Sequence, residues 1–232
     1  LATAMINALF PLLQLCDSNF PSGAFSHSFG LETYIQEQNI TGRDSFAEAL
    51  SIFIRKQLVY TDGLACRLAI ESLEAGEDAS LEELDRLLYV SCLAEESRMG
   101  NKRIGERMAK LCSELYPSSA LSNYVARIKA KQAYGQPSIV FALVAYHLNV
   151  SKETAIGAYL YANVSSLIQN AVRGIPLGQT DGQKILVGIQ PLIGKAVDQI
   201  LQLTIEDFGA VSPGLEIAQM RHERLHVRLF MS

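Results

Sequence analysis

The residues best placed by type and spacing to do chemistry are His222-Glu223-Arg224-Leu225-His226, an H-E-x-x-H string. On a helix, positions i and i+4 share a face, so two imidazoles could reach one zinc ion while Glu223 acts as general base on its bound water. A catalytic zinc takes a third protein ligand, and Val227 to Ser232 supply no His, Asp or Glu. A zinc-dependent hydrolase using His222, Glu223 and His226 therefore stands as the alternative reading. Arg221, Arg224 and Arg228 repeat at intervals of three and four and lay a positive stripe along the same helix end, which suits a partner contact.

Two other strings and a lone histidine invite a functional reading and fall short of it. Ser26 and Ser28 flank His27, yet no G-x-S-x-G elbow or preceding strand pattern would present a nucleophile. Phe25, Phe29 and Tyr34 around that loop fit aromatic anchors instead. Gly188 to Lys195 has five residues between its glycines where a phosphate-binding loop has four, and Ala196 stands where Ser or Thr would meet magnesium. His147 falls in an apolar helix and reads as a packed, hydrogen-bonded core histidine.

The elements that must position these residues read as helices. The 232 residues are 49% hydrophobic and 19% charged, the composition of a folded globular chain. Apolar residues recur at three- and four-residue spacing nearly throughout, which predicts an all-α fold of about nine or ten helices. No Pro/Ser-rich linker divides the chain, so residues 1–232 are expected to form a single domain, with 213–232 as a C-terminal interaction helix and tail. Ser80 and Glu83 form a capping-box pattern ahead of Leu81, Leu84, Leu88 and Cys92. Asp44, Pro137, Ser151 and Ser212-Pro213 mark further helix starts. Ile156, Leu160, Val164, Leu167, Ile168 and Ala171, widened by Tyr159, Tyr161 and Ala162, predict a central, surrounded helix. Loops fall at 19–23, 39–44, 174–182 and 207–214 and are the first places to look for function.

Charge and cysteine spacing exclude several classes. The longest apolar run, Ile139 to Tyr146, is well short of the roughly 20 residues a bilayer span needs, so no membrane contact is expected. The net charge of −4 argues against a nucleic-acid partner. The charge is uneven: Glu71 to Glu96 holds nine acidic residues against Arg86, and Arg98 to Lys131 holds eight basic residues against Glu106 and Glu114. Such blocks read as two solvated, mutually attracting faces or as a polar docking surface. The four cysteines form no C-x-x-C pair, and no Lys or Arg precedes Arg43, so the expected location is cytoplasmic.

Four separated strings resemble the urease accessory protein UreF family. They are Leu12-Leu13-Gln14-Leu15 through Asp17-Ser18 and Phe20-Pro21 to Gly30-Leu31-Glu32; Ala158 to Tyr161; Ala171-Val172-Arg173 with Pro176 to Gln183; and Glu216 through Arg221-His222-Glu223 to Ser232. The resemblance implies an all-helical, dimer-forming chaperone without catalytic activity of its own. It implies UreD (UreH in some organisms) as direct partner, joint recruitment and regulation of the GTPase UreG, and nickel insertion into apo-urease. Nickel and GTP are then handled by the complex, and no intrinsic cofactor is implied. By matching position, Phe25 and Arg228 correspond to UreD contacts, and Glu32 and Lys184 to a GTPase-regulating surface. Arg221, His222 and Glu223 belong to the tail string with no assigned role, and a transient nickel contact by His222 and His226 stays open. The tail is expected to order on partner binding.

Overall fold

A computed structural model describes the backbone of residues 2–175, 177–209 and 212–232 and the side chains from residue 6 onward within those ranges. Pro176 of the third family string, and Ala210 and Val211 of the last loop, lie outside the described residues. Eleven α-helices are present and no strand occurs among the described residues. They are α1 (Ala2–Cys16), α2 (Leu31–Gln36), α3 (Arg43–Phe53), α4 (Leu64–Ala75), α5 (Asp78–Ser91), α6 (Glu95–Leu115), α7 (Ser119–Lys129), α8 (Pro137–His147), α9 (Lys152–Gly174), α10 (Gln179–Ile200) and α11 (Pro213–His222). A π-helical segment, Ile54–Gly63, joins α3 to α4 without a break, so the helices form ten rods.

The core has two halves that share α9. Leu50, Ile54 and Leu58 pack with Ile156, Leu160, Val164 and Ile168 of α9 and with Ile185, Ile189 and Ile200 of α10. On the other side Ile70, Leu84, Cys112 and Leu121 surround α8, and Ala155 and Tyr159 of α9 close that half. The α9 stripe is therefore buried as its spacing predicts, and the helix is contacted from several directions. The helix enclosed all round over most of its length is α8, whose residues Pro137 to Ala145 are all buried, as an unbroken apolar run requires; its end emerges at the surface, so His147 is exposed and is not the packed core histidine expected from the sequence.

Several starts follow the sequence signals. Pro137 and Pro213 occupy first-turn positions, and Ser151 Oγ accepts a hydrogen bond from the Thr154 N–H at 3.3 Å. Ser80 departs from expectation: α5 begins at Asp78, and the Ser80 hydroxyl donates to Glu77 Oε2 at 3.0 Å, so the predicted capping box is not formed. Glu77 and Asp78 place negative charge at the first turn, which favours the earlier start.

The approach to α8 is pinned by a buried acid. Asp85 accepts from the Tyr124 hydroxyl at 2.5 Å and from the N–H groups of Tyr134 and Gln136 at 2.6 and 3.0 Å. Burial, with Asp85 alongside, pushes the Tyr124 phenol well above its ordinary range, so it remains a donor. Gly105 lets α6 touch this turn, since a Cβ there would overlap the Gly135 carbonyl oxygen and lie 2.9 Å from Pro137 N. Gly105→Ala is expected to cost about 3 kcal/mol, because only backbone could move to relieve the overlap. Gly188→Ala, in α10 with no atom within 4 Å, is expected to gain about 0.5–1 kcal/mol. Urea unfolding midpoints at constant slope measure both, and equal shifts would contradict the packing described.

Candidate interaction site

The loop between α1 and α2 is shaped for close packing. Phe29 and Gly30 adopt left-handed backbone, with φ of 50° and 89°. A Cβ at Gly30 would come within 2.9 Å of Gln219 Cγ, so glycine suits both the turn and the approach of α11. The turn starts α2 at Leu31 and directs Glu32 into the interior, where it is 3% exposed.

The segment 223–232 folds back onto that buried carboxylate. Glu32 Oε1 accepts the Leu229 N–H at 2.6 Å, and Oε2 accepts the Phe230 N–H at 3.2 Å and lies 2.9 Å from His222 Nε2. His222, with 0% side-chain exposure, has its other nitrogen 2.8 Å from Glu96 Oε2 at the start of α6. Each ring nitrogen therefore faces a carboxylate oxygen, one from α2 and one from α6. Arg228 donates to Glu96 Oε1 at 2.6 Å and completes an alternating row of acids and bases. Burial pushes Glu96 upward, but hydrogen bonds from His222 and Arg228 outweigh it and hold the carboxyl below its ordinary range.

Residues 26–29 hold the last residues of the segment. The N–H groups of Ser28 and Phe29 and the Ser28 hydroxyl all donate to the Ser232 main-chain oxygen, at 2.6, 3.0 and 2.8 Å. Met231 N–H donates to Ser26 O at 2.8 Å, and His27 Nδ1 lies 2.8 Å from Ser232 Oγ. Gly100 makes room here, since a Cβ would stand 2.8 Å from His27 Nδ1. Burial, with repulsion from Arg103, Arg107 and His222, pulls His27 down to about 4 against an opposing pull from Glu96, so the ring is neutral at pH 7. From α9, Asn170 donates to His27 O at 2.7 Å, and Arg173 donates to Phe25 O at 2.5 Å and to Asn170 Oδ1.

This geometry removes the metal-hydrolase arrangement. Helix α11 ends at His222, so Glu223 and the exposed His226 lie beyond it and the two histidines do not share a helical face. Both nitrogens of His222 are already engaged. Among the described residues no group of three or more His, Cys, Asp and Glu is placed to hold a metal ion. Burial is the leading cause that pushes the thiols of Cys16, Cys66, Cys92 and Cys112 up to about 12, so none is a ready thiolate. The one buried His–Ser pair described at this site joins His27 to Ser232 rather than to its sequence neighbours, and among the described residues no acid is hydrogen-bonded to the ring. Gly188 to Lys195 lies inside α10 and forms no phosphate loop.

The remaining candidates divide by accessibility. Phe25 is 56% exposed beside the tail, with the Arg173 guanidinium 5.8 Å from its ring. Arg228 is also exposed and commits one of its five donors to Glu96. Glu32 offers nothing to a partner surface, because its oxygens are spent inside the chain and any influence it has passes through the tail. Lys184 is exposed on α10 and pairs with Asp181 at 3.1 Å. Arg221 pairs with Glu37 at 3.1 Å on the surface, and Glu223 is exposed. Sequence reading overlooked Glu96, which looks like one more member of an acidic block, and Gly100, Asn170 and Ser232, whose roles depend on contacts distant in sequence.

A family model described as UreF matches residues 40–190, about two-thirds of the chain. Proteins named urease accessory protein UreF match nearly all of it. The one from Bacillus sp. (strain TB-90) is 67% identical over 227 residues, covering 98% of this chain and 100% of that protein. The chain belongs to the UreF family. The UreF of Lachnoclostridium phytofermentans is 51% identical over 228 residues, 98% of this chain and 100% of its own. That of Geobacillus kaustophilus is 52% identical over 221 residues, 95% and 96% of the two chains. The family model stops short of both Glu32 and the tail.

Two predictions concern docking. Glu32→Ala leaves the Leu229 and Phe230 N–H groups and His222 without their acceptor, so trypsin is expected to cut after Arg224 and Arg228 at least tenfold faster while the body stays intact. Unchanged cleavage would contradict the role of Glu32. Acid is expected to act in the same direction. His27 binds protons less readily when docked than at its ordinary 6.5, so docking is strongest above that value and weakens as pH falls toward about 4. Glu96, held low when docked, adds to the loss as pH falls through its lowered range. A pH series of the same proteolysis reads this, and docking that strengthens on acidification would refute it.

Proposed function

We propose that this chain acts as a non-enzymatic chaperone and scaffold in urease maturation. In this reading it binds UreD (UreH) through the surface formed by Phe25 and the 223–232 segment, and the pair recruits and regulates the GTPase UreG. Nickel is the cargo of that assembly and is delivered to apo-urease, while GTP is held by the GTPase; this chain needs no cofactor of its own. The proposed setting is the cytoplasm, and the proposed working form is a homodimer. No helix among the described residues is long and apolar enough to cross a membrane.

The observation that carries this reading is the tail folded against the 25–32 loop in a chain whose family is urease accessory. Docking places an exposed aromatic and a partly committed arginine at the edge of one ordered surface, the pairing of residue types that dominates binding energy at interfaces. Lys184 and Glu32 fit the reading in different ways. Lys184 is available for direct contact with the GTPase. Glu32 acts by holding the tail in shape, so its effect on GTPase recruitment is indirect. A GTPase is regulated by a scaffold that contacts one of its nucleotide states better than the other.

Light scattering coupled to size-exclusion chromatography tests this with UreD and UreG from the same organism, with and without a non-hydrolysable GTP analogue. The expected result is a dimer that forms a larger species with UreD and takes up UreG. Phe25→Ala is expected to weaken UreD binding at least tenfold, and Arg228→Ala to weaken it measurably while leaving the isolated fold intact. Wild-type affinity in both variants, or no complex under any nucleotide condition, would overturn the proposal.

A further inference from the structure

One face of α6 connects the docked tail to a set of cations that have no partner. Glu96, Gly100, Arg103, Arg107 and Lys110 follow one another at intervals of four, three, four and three, so they fall on one side of the helix. The first two serve the tail: Glu96 binds His222 and Arg228, and Gly100 makes room for His27 and Ser232. The next three are exposed, and among the described residues none of them forms an ion pair. Neighbouring cations behave differently, since Lys102 pairs with Glu106 at 3.9 Å and Arg98 donates to the Cys92 and Leu93 carbonyl oxygens. Glu114, the next position on this face, makes no ion pair with Lys110 among the described residues.

The row runs beside the exposed aromatic. The Arg107 guanidinium lies over Gly23, two residues before Phe25, and its charge and that of Arg103 are felt at His27. Arg173, across Phe25 on α9, adds a fourth cation at this edge. An unpaired cationic row flanking an apolar anchor gains little within the chain, where like charges one turn apart repel by a few tenths of a kcal/mol. It matches a partner that sets acidic groups beside an apolar pocket, an arrangement that speeds encounter and fixes orientation.

We propose that Arg103, Arg107 and Lys110 form the electrostatic half of the partner surface whose apolar half is Phe25, and that they dock an acidic surface of the UreD partner. This inference rests on the reading of the Phe25 and tail surface as the UreD site. The row belongs to the sequence block from Arg98 to Lys131, of which it forms the part adjacent to the tail.

The test titrates UreD against the wild-type chain, the R103E/R107E variant and a charge-matched control, K129E/K131E, at about 50 mM and about 500 mM salt. Arg103→Glu alone is the second variant, because Arg107 also packs over the turn at Gly23. Circular dichroism and the unfolding midpoint verify each fold. At low salt R103E/R107E is expected to weaken binding at least tenfold, mainly through slower association, while the control stays within about threefold. At high salt the difference from wild type is expected to shrink toward nothing, whereas the defect of Phe25→Ala persists.

Binding by R103E/R107E as tight as that of the control would overturn this proposal and leave the UreD reading standing. Intact UreD binding with lost capture of UreG would assign the row to the GTPase and also overturn it. Failure of the wild-type chain to bind UreD at either salt would sink the underlying reading, and this proposal with it.

Discussion

A carboxylate buried at Glu32 is the constraint from which the rest of this site follows. An ionised acid removed from water must have its oxygens met by donors, and nearby sequence provides few. The donors come instead from almost two hundred residues away, as the Leu229 and Phe230 N–H groups and the His222 ring. The contact is mutual, because it also gives the buried Phe230 N–H its acceptor. Satisfying one acid thus fixes the path of the last ten residues across the 26–32 loop.

That path sets what the surface displays. His222 links Glu32 to Glu96, so α6 enters the same network, and Arg228 closes it from the solvent side. Because Glu96 and Gly100 occupy the N-terminal part of one helical face, the cations that follow on it emerge beside the Phe25 turn. Asn170 and Arg173 tie the same turn to α9, the helix shared by both halves of the core. The proposed interaction surface is accordingly joined to the helix that both halves of the core share, which favours presentation of a preformed face over one assembled on contact.

Local chemistry made much of the fold legible. The α9 stripe, the apolar run of α8, the prolines at 137 and 213 and the Ser151 cap each depend on residues within a turn or two. Legibility failed where a distant partner decided the outcome. His222 and His226 have helical spacing, but the chain turns out of the helix after His222, where the Arg224 and Leu225 N–H groups bond to Arg221 O and His222 O, and it then runs to Glu32 and Ser26, which accept from the N–H groups of Leu229, Phe230 and Met231. Glu32 was recognisable as part of a family string, while its burial was not, since acids are rarely buried and nothing beside it announces a partner. Phe25 was legible as an exposed aromatic, because a large ring in a Gly/Ser turn has little to pack against.

The tail is docked on Glu32 in the free chain rather than ordered only by a partner. Site-resolved hydrogen exchange of the isolated wild-type chain at pH 7 measures this at the Leu229 and Phe230 amides. Exchange at least about a hundredfold slower than for unstructured amides is expected, which corresponds to an opening free energy of about 2.7 kcal/mol or more. Exchange of these two amides at the unprotected rate, with α8 still protected, would show an undocked tail and contradict it.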